Sequence, residues 1–286
     1  MRIQLKLNIC NIGNKEWLDF KADISFGLFF AFQDLGHDVT MSVNYLSDRR
    51  LNVIIGADFL ADNSENVQDI ANSKIEYVIF EVERFDENGI NDRDNFNLAL
   101  YKLLIERSKF VITPYLYNVH SFTNLYGSEK IRYARWGFHE KMVKSTIVRQ
   151  KNKFEFDALY FGLLKGRRAE KVQNLLSQES CNLKVLSRND PILFKDYFVS
   201  CCEWGLNLSY GSAEKFINPF RLYYMISNGM PVLADGGNDE DNYLSVCEVV
   251  DFENFSEYLT SGNTDISSLQ DRCRESKLSE NLKHIL

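Results

Sequence analysis

Short apolar runs alternate with helical stretches along most of this chain, and the alternation runs through twice. In the first half, strand-like runs fall at Arg2–Cys10, His37–Val43, Asn52–Ala57, Glu76–Val82, Phe110–Tyr115 and Ile131–Ala134. Helical patterns lie between them at Phe26–Leu35, which Gly36 stops, at Asn95–Arg107 and at Ser121–Tyr126. Lys144–Phe156 (KSTIVRQKNKFEF) is polar and basic and interrupts the rhythm. The rhythm restarts with strands at Asp157–Gly162, Asn182–Leu186, Gly205–Tyr210 and Cys247–Val250, and Asn218–Asp235 supplies a further helix and strand. Helices alternate with them at Arg167–Leu176, Pro191–Cys201 and Phe252–Leu259. Strands separated by helices need crossover connections, so the pattern predicts parallel sheets covered by helices. The expected fold class is α/β. It has two Rossmann-like domains, residues 1–143 and 157–286, joined by a linker at 144–156, with a cleft between them. The polar tail Ser267–Leu286 is expected to be helical and is a candidate to cross back to the first domain.

A chain of 286 residues is long enough for two domains. Its 45% hydrophobic and 26% charged residues are ordinary for a folded protein. A net charge of −7 argues against a general nucleic-acid binder, so no nucleic-acid partner is expected, although a local basic pocket remains compatible. No apolar run approaches the roughly 20 residues of a membrane span, and the N-terminus has no signal-peptide core. The six cysteines include no C-x-x-C pair and read as reduced, buried thiols of a cytoplasmic protein.

In open parallel sheets, ligands bind beyond the carboxyl ends of strands, near helix N-termini. Three loops of the second half meet that rule. Gly162–Arg168 (GLLKGRR) brings Lys165, Arg167 and Arg168 to a helix start. The macrodipole disfavours cations there, so a bound anion would account for them as well as a solvated basic turn does. Tyr210–Lys215 (YGSAEK) offers Gly211 and Ser212 to a phosphate or ribose, and Glu214 to ribose hydroxyls or to Arg221. Asn218–Asp235 (NPFRLYYMISNGMPVLAD) has Asn218 as N-cap, Pro219 at the first helical position and Gly229 as the stop. Arg221 is the exception. It sits in the first turn, where an acid is preferred, and its planar fork suits a phosphate or carboxylate.

The first half offers acids and a histidine at strand ends. Glu81 and Glu83 (FEVERF) close an apolar strand, where burial can raise a carboxyl pKa and fit it for proton transfer. His120 (YNVHSF) is the best-placed histidine, whereas His37 in LGHDV reads as packing between helix and strand. The acidic runs at 92–94 and 239–241 read as solvated turns, and no metal or other cofactor is expected.

Together these segments resemble a GT-B-type glycosyltransferase, a family of two facing Rossmann-like domains. FGLFFAFQDLGHDV is similar to the early helix and "LGH-x-V" of such enzymes, and DALYFGLLKGRR to the strand and basic loop that open the donor domain. NPFRLYYMISNGMPVLAD is similar to the donor-domain helix and its "G-x-P-V", and IRYARWGFHEKM to the segment before the linker. The resemblance implies metal-independent transfer of a sugar from a nucleotide-sugar donor to a carbohydrate, lipid-linked or other hydroxyl acceptor. Gly162, Lys165, Arg167, Asn218 and Arg221 would meet the donor's phosphates or sugar. Glu81, Glu83 and His120 would be the candidate bases. Many similar enzymes work on lipid-linked glycans, so peripheral contact with the inner membrane face is compatible. The paired glutamates of many retaining members fall, on alignment at Gly229, on Phe216 and Tyr224. A nucleotide-sugar epimerase, or a non-catalytic sugar- or partner-binding module on the same scaffold, are the competing readings.

Overall fold

The computed structural model describes residues 4–86, 89–90, 96–150, 153–178, 181–187, 190, 192–209, 217–261 and 264–286. They form two units, Met1–Trp136 with Leu278–Leu286, and Gly137–Lys277. The polar segment 144–156 thus belongs to the second unit and the end of the tail to the first.

In the first unit the strands are β1 (Lys6–Asn11), β2 (Asp38–Val43), β3 (Leu51–Ile55), β4 (Tyr77–Phe80), the short pair β5 (Phe85–Asp86) and β6 (Gly89–Ile90), β7 (Val111–Thr113) and β8 (Ile131–Tyr133). Six of them form one sheet in the order β2-β1-β3-β4-β7-β8, with every pairing parallel. The helices are α1 (Lys15–Asp34), α2 (Ala57–Leu60), α3 (Ser64–Asn72), α4 (Leu98–Arg107) and α5 (Leu116–Tyr126). One core joins Ile54, Ile79 and Val111 of the sheet to Tyr101, Leu104 and Ile105 of α4 and Phe122 of α5.

Two helices run further than the sequence pattern suggests. α1 extends well before Phe26, because Lys21, Ile24, Ser25, Leu28 and Phe32 recur at helical spacing and are all buried. α5 begins at Leu116, which puts His120 inside a helix instead of in a loop.

In the second unit the strands are β9 (Phe156–Phe161), β10 (Leu183–Leu186), β11 (Cys202–Asn207), β12 (Val232–Ala234) and β13 (Glu248–Val249), ordered β10-β9-β11-β12-β13 and all parallel. α6 (Arg167–Leu176), α7 (Ile192–Cys201), α8 (Pro219–Ser227), α9 (Phe255–Ser261) and α10 (Ile266–Glu275) complete it. Val172 and Leu175 of α6 and Phe255 and Leu259 of α9 cover Tyr160, Trp204 and Leu206 of the sheet. β11 begins earlier than Gly205, since Cys202 and Trp204 already pair with β9, beside Gly205. The last helix, α11 (Leu278–Leu282), packs on α1 of the first unit, where the Asn281 amide donates to the Arg135 carbonyl at 2.9 Å. Among the described residues no helix is long and apolar enough to cross a membrane.

Candidate functional site

The second unit concentrates charge at the carboxyl end of its sheet. β9 ends at Phe161, and Gly162 follows with φ 144°. A Cβ at Gly162 would stand 2.3 Å from Arg221 Nη2, so only glycine leaves room for the guanidinium. Arg221 reaches that place from the first turn of α8. The expected cap is present: Asn218 Oδ1 accepts from the Arg221 backbone N–H at 2.9 Å, and Pro219 opens the helix. The Arg221 guanidinium carbon lies 5.1 Å from the Tyr160 ring centroid and 5.5 Å from that of Phe161, and the residue is only 4% exposed. Ring faces favour a cation. A guanidinium buried at the positive end of a nine-residue helix makes a strongly anion-attracting place.

The basic loop divides by exposure. Lys165 and Arg167 are exposed, whereas Arg168 is buried. Arg168 Nε donates to the Leu208 carbonyl at 3.1 Å and Nη1 to the Leu163 carbonyl at 3.4 Å, tying the loop after β9 to the end of β11. Gly211, Ser212, Glu214 and Phe216 lie outside the described residues.

Two neighbours of this edge escaped the sequence reading. Asn207, the last residue of β11, is 2% exposed and donates to the Asn218 carbonyl at 3.3 Å, linking the strand end to the start of α8. Asp235 follows β12, is buried, and accepts from Ser209 N and Ser209 Oγ, each at 2.8 Å, while pairing with Lys171 of α6. An acid directly after the apolar run VLA was the available signal. Tyr224 is buried one turn beyond Arg221 and donates to Asp196 of α7, which also pairs with Lys144 at 3.0 Å.

The first unit places acids where the second places a cation. Glu81 follows β4 and is 3% exposed. The Tyr101 hydroxyl donates to its Oε2, and the Glu83 backbone N–H to its Oε1 at 2.8 Å. Burial, and next the negative charge of Asp58, push the Glu81 carboxyl up to about 8, against the lowering effect of those two bonds. Glu83 is half-buried, and its carbonyl accepts from Asn118 Nδ2 at 2.8 Å. Arg84 gives its Nη2 to the Tyr117 hydroxyl at 2.8 Å and stacks on that ring. His120 is exposed on α5. Among the described residues no three His, Cys, Asp or Glu side chains gather into a metal-binding group.

No family model and no curated protein sequence matches this chain. Solved structures do. One is a DNA-modifying β-glucosyltransferase studied with and without uridine diphosphoglucose, with TM-score 0.56 and 12% identity over 98% of this chain and 95% of that one. A second is an α-glucosyltransferase in complex with UDP and a 13-mer DNA containing an HMU base, with TM-score 0.55 and 11% identity over 99% and 96%. T4 phage BGT with its UDP-glucose substrate aligns with TM-score 0.53 and 11% identity over 98% and 95%. At such identity the likeness establishes the fold, and the chain has the GT-B glycosyltransferase fold.

Proposed function

We propose that this chain transfers a sugar from a nucleotide-sugar donor to a hydroxyl acceptor. The observation that carries the proposal is the buried Arg221 guanidinium, set at the start of α8 and admitted by the bare Gly162 backbone. Breaking a sugar–phosphate bond sends its electron pair to a diphosphate oxygen. Arg221 and the first amides of α8 stabilise that charge, with Gly162 and Asn218 shaping the place and Lys165 and Arg167 adding positive potential. In this reading the chain's own cations supply the charge and no divalent metal is required.

The acceptor oxygen bonds to the sugar carbon as its proton leaves. Of Glu81, Glu83 and His120, Glu81 is the base we assign, because burial and the Asp58 charge push its carboxyl up to about 8 and so fit it to accept a proton. Its carboxylate takes the acceptor proton, as a direct, inverting displacement requires. The acceptor classes to test are glycans, lipid-linked glycans at a membrane surface, and DNA, which the solved structures of the same fold name.

Thermal unfolding with UDP, other nucleoside diphosphates and their sugars tests the donor. A ligand at 100 times its Kd adds about 2.7 kcal/mol of stability. Arg221→Lys keeps a charge but loses the fork, and should weaken that binding tenfold or more while the ligand-free protein stays folded. Sugar transfer is then followed on an oligosaccharide, a lipid-linked glycan and an HMU-containing DNA. No stabilisation by any nucleoside diphosphate or its sugar would overturn the reading.

A further inference from the structure

The loop 44–50 that joins β2 to β3 contains no helix, yet the core holds it from below. Asn8 of β1 and Asn52 of β3 are neighbours in the sheet and are both buried. Asn8 Nδ2 donates to Asn52 Oδ1 and to Ser42 Oγ, each at 2.9 Å, and to the Tyr45 carbonyl at 3.3 Å. Asn52 Nδ2 donates to the Ser47 carbonyl at 2.8 Å and to the Arg50 carbonyl at 3.2 Å, and its Oδ1 accepts from the Ser47 N–H at 2.8 Å. Ser42 Oγ, at 2.6 Å, and Cys10 Sγ, at 3.1 Å, also donate to the Tyr45 carbonyl. Asn44 has φ 51°, a left-handed conformation that few residues other than glycine adopt. Its amide closes on Gly13, Oδ1 accepting from the Gly13 N–H at 3.0 Å and Nδ2 donating to the Gly13 carbonyl at 2.9 Å.

What this network fixes is the backbone of a residue whose side chain stands in solvent. Tyr45 is 63% exposed, and Val43 before it 58%. A surface loop needs no such anchoring to serve as a connection, since loops are ordinarily the mobile parts of a fold. An aromatic ring on a fixed backbone binds with little ordering cost. Its face suits the C–H face of a sugar, and its hydroxyl suits the sugar's own hydroxyls. The charge of the loop favours a neutral ligand. Arg50 Nη2 meets Asp38 at 3.0 Å, and Arg49 lies 3.9 Å from Asp48, so each arginine of the loop faces an acid. A nucleic-acid backbone would call for cations turned toward its phosphates.

Position sets the length of such a ligand. The Asn44 N–H donates to the carbonyl of Asn11, the last residue of β1, so Asn44 and Tyr45 sit by the carboxyl edge of the sheet. Glu81 follows β4 at the same edge. In the order β2-β1-β3-β4, three strand spacings of about 4.8 Å separate the ends of β2 and β4, roughly 14 Å. A single sugar does not span that distance, and a chain of several does. We propose that Tyr45 is an acceptor subsite for a neutral oligosaccharide, holding sugar units remote from the hydroxyl that is glycosylated. The proposal rests on the transfer reading above, with Glu81 marking where that hydroxyl lies.

Binding to an array of neutral and acidic oligosaccharides and to HMU-containing DNA tests it without turnover. The wild type should retain neutral oligosaccharides. Tyr45→Ala should weaken that binding about tenfold, the size of one good stacking contact, and Tyr45→Phe, which keeps the ring, should restore most of it. The ring is exposed and its carbonyl anchors are untouched, so urea unfolding of Tyr45→Ala should match the wild type. In transfer assays, kcat/KM of the wild type should rise from monosaccharide to hexasaccharide acceptors, and Tyr45→Ala should remove that rise through KM. Glycan binding that depends on Tyr45 in a protein that transfers no sugar would keep the subsite and remove the transfer reading. Binding confined to DNA or acidic glycans, no glycan binding at all, or binding and length dependence that Tyr45→Ala leaves unchanged overturns the proposal itself.

Discussion

Replacing Glu81 by Gln should remove a large pH dependence of stability, and the size follows from the burial of one carboxyl. In the folded chain Glu81 keeps its proton up to about pH 8, whereas an ordinary glutamate releases it near 4.5. Between those values the unfolded chain binds fewer protons than the folded one, so stability falls as pH rises, by about 1.4 kcal/mol per unit. The contribution is fully present below pH 4.5 and is lost as pH climbs through 8. From about pH 5.5 to about pH 7.5 the wild-type chain therefore loses about 3 kcal/mol through this residue. Gln cannot titrate. Its carboxamide oxygen can accept from the Glu83 N–H, and its NH₂ can donate to a turned Tyr101 hydroxyl, so the site stays hydrogen-bonded. Urea unfolding of both proteins across that range gives the difference, and other titrating groups cancel in it. The variant should gain about 3 kcal/mol on the wild type between the two ends. Parallel stability curves would refute the assignment of a buried, neutral Glu81. The same variant should lose transfer by about 10²-fold or more, as removal of a general base does.

Two further substitutions probe the second unit. Gly162→Ala places a methyl against the Arg221 guanidinium and in a disfavoured backbone region. It should weaken nucleotide binding tenfold or more by calorimetry, and an unchanged Kd would detach Gly162 from the site. Asp235→Asn leaves Lys171 with no charge partner in that pair and should cost about 2–4 kcal/mol in urea unfolding, where a loss below about 1 kcal/mol would make the ion pair incidental.

The sheets were legible because parallel strands buried on both faces read as compact apolar runs. NVIIG and DALYF give β3 and β9 to within a residue or two, and α8 carries its own start signals in Asn218 and Pro219. The polar interior was less legible. Lys21 reads as surface until α1 is extended back to Lys15, because a lone lysine in LDFKADIS gives no local hint of burial. Asp58 and Arg168 likewise depend on partners far along the chain, Asp58 on Lys21 and Arg168 on Leu208. Neither pairing has a period or a spacing. Of the basic loop, the sequence could say that charge gathers at a helix start, but not which cation turns inward. At Tyr224 the missing glutamate was visible, whereas the Asp196 carboxylate that meets the tyrosine hydroxyl was not.

The two sheets apply one geometric rule to opposite chemistry. Each delivers buried charge at the carboxyl ends of its strands, where helices begin. In the first unit that charge is the Glu81 carboxyl, which burial and next the negative charge of Asp58 push up to about 8. In the second it is the Arg221 guanidinium, kept buried by aromatic rings and a glycine, with the acid Asp235 already matched by Lys171. A group transfer that releases a phosphate and a proton needs a holder for each. A non-catalytic binding module would need the cation but has no use for a carboxyl tuned to about 8. An epimerase would need no acceptor for its turnover. The pairing of the two devices in one chain is thus the physical reason to favour transfer, and consumption of donor that depends on an added hydroxyl acceptor is the measurement that separates the three.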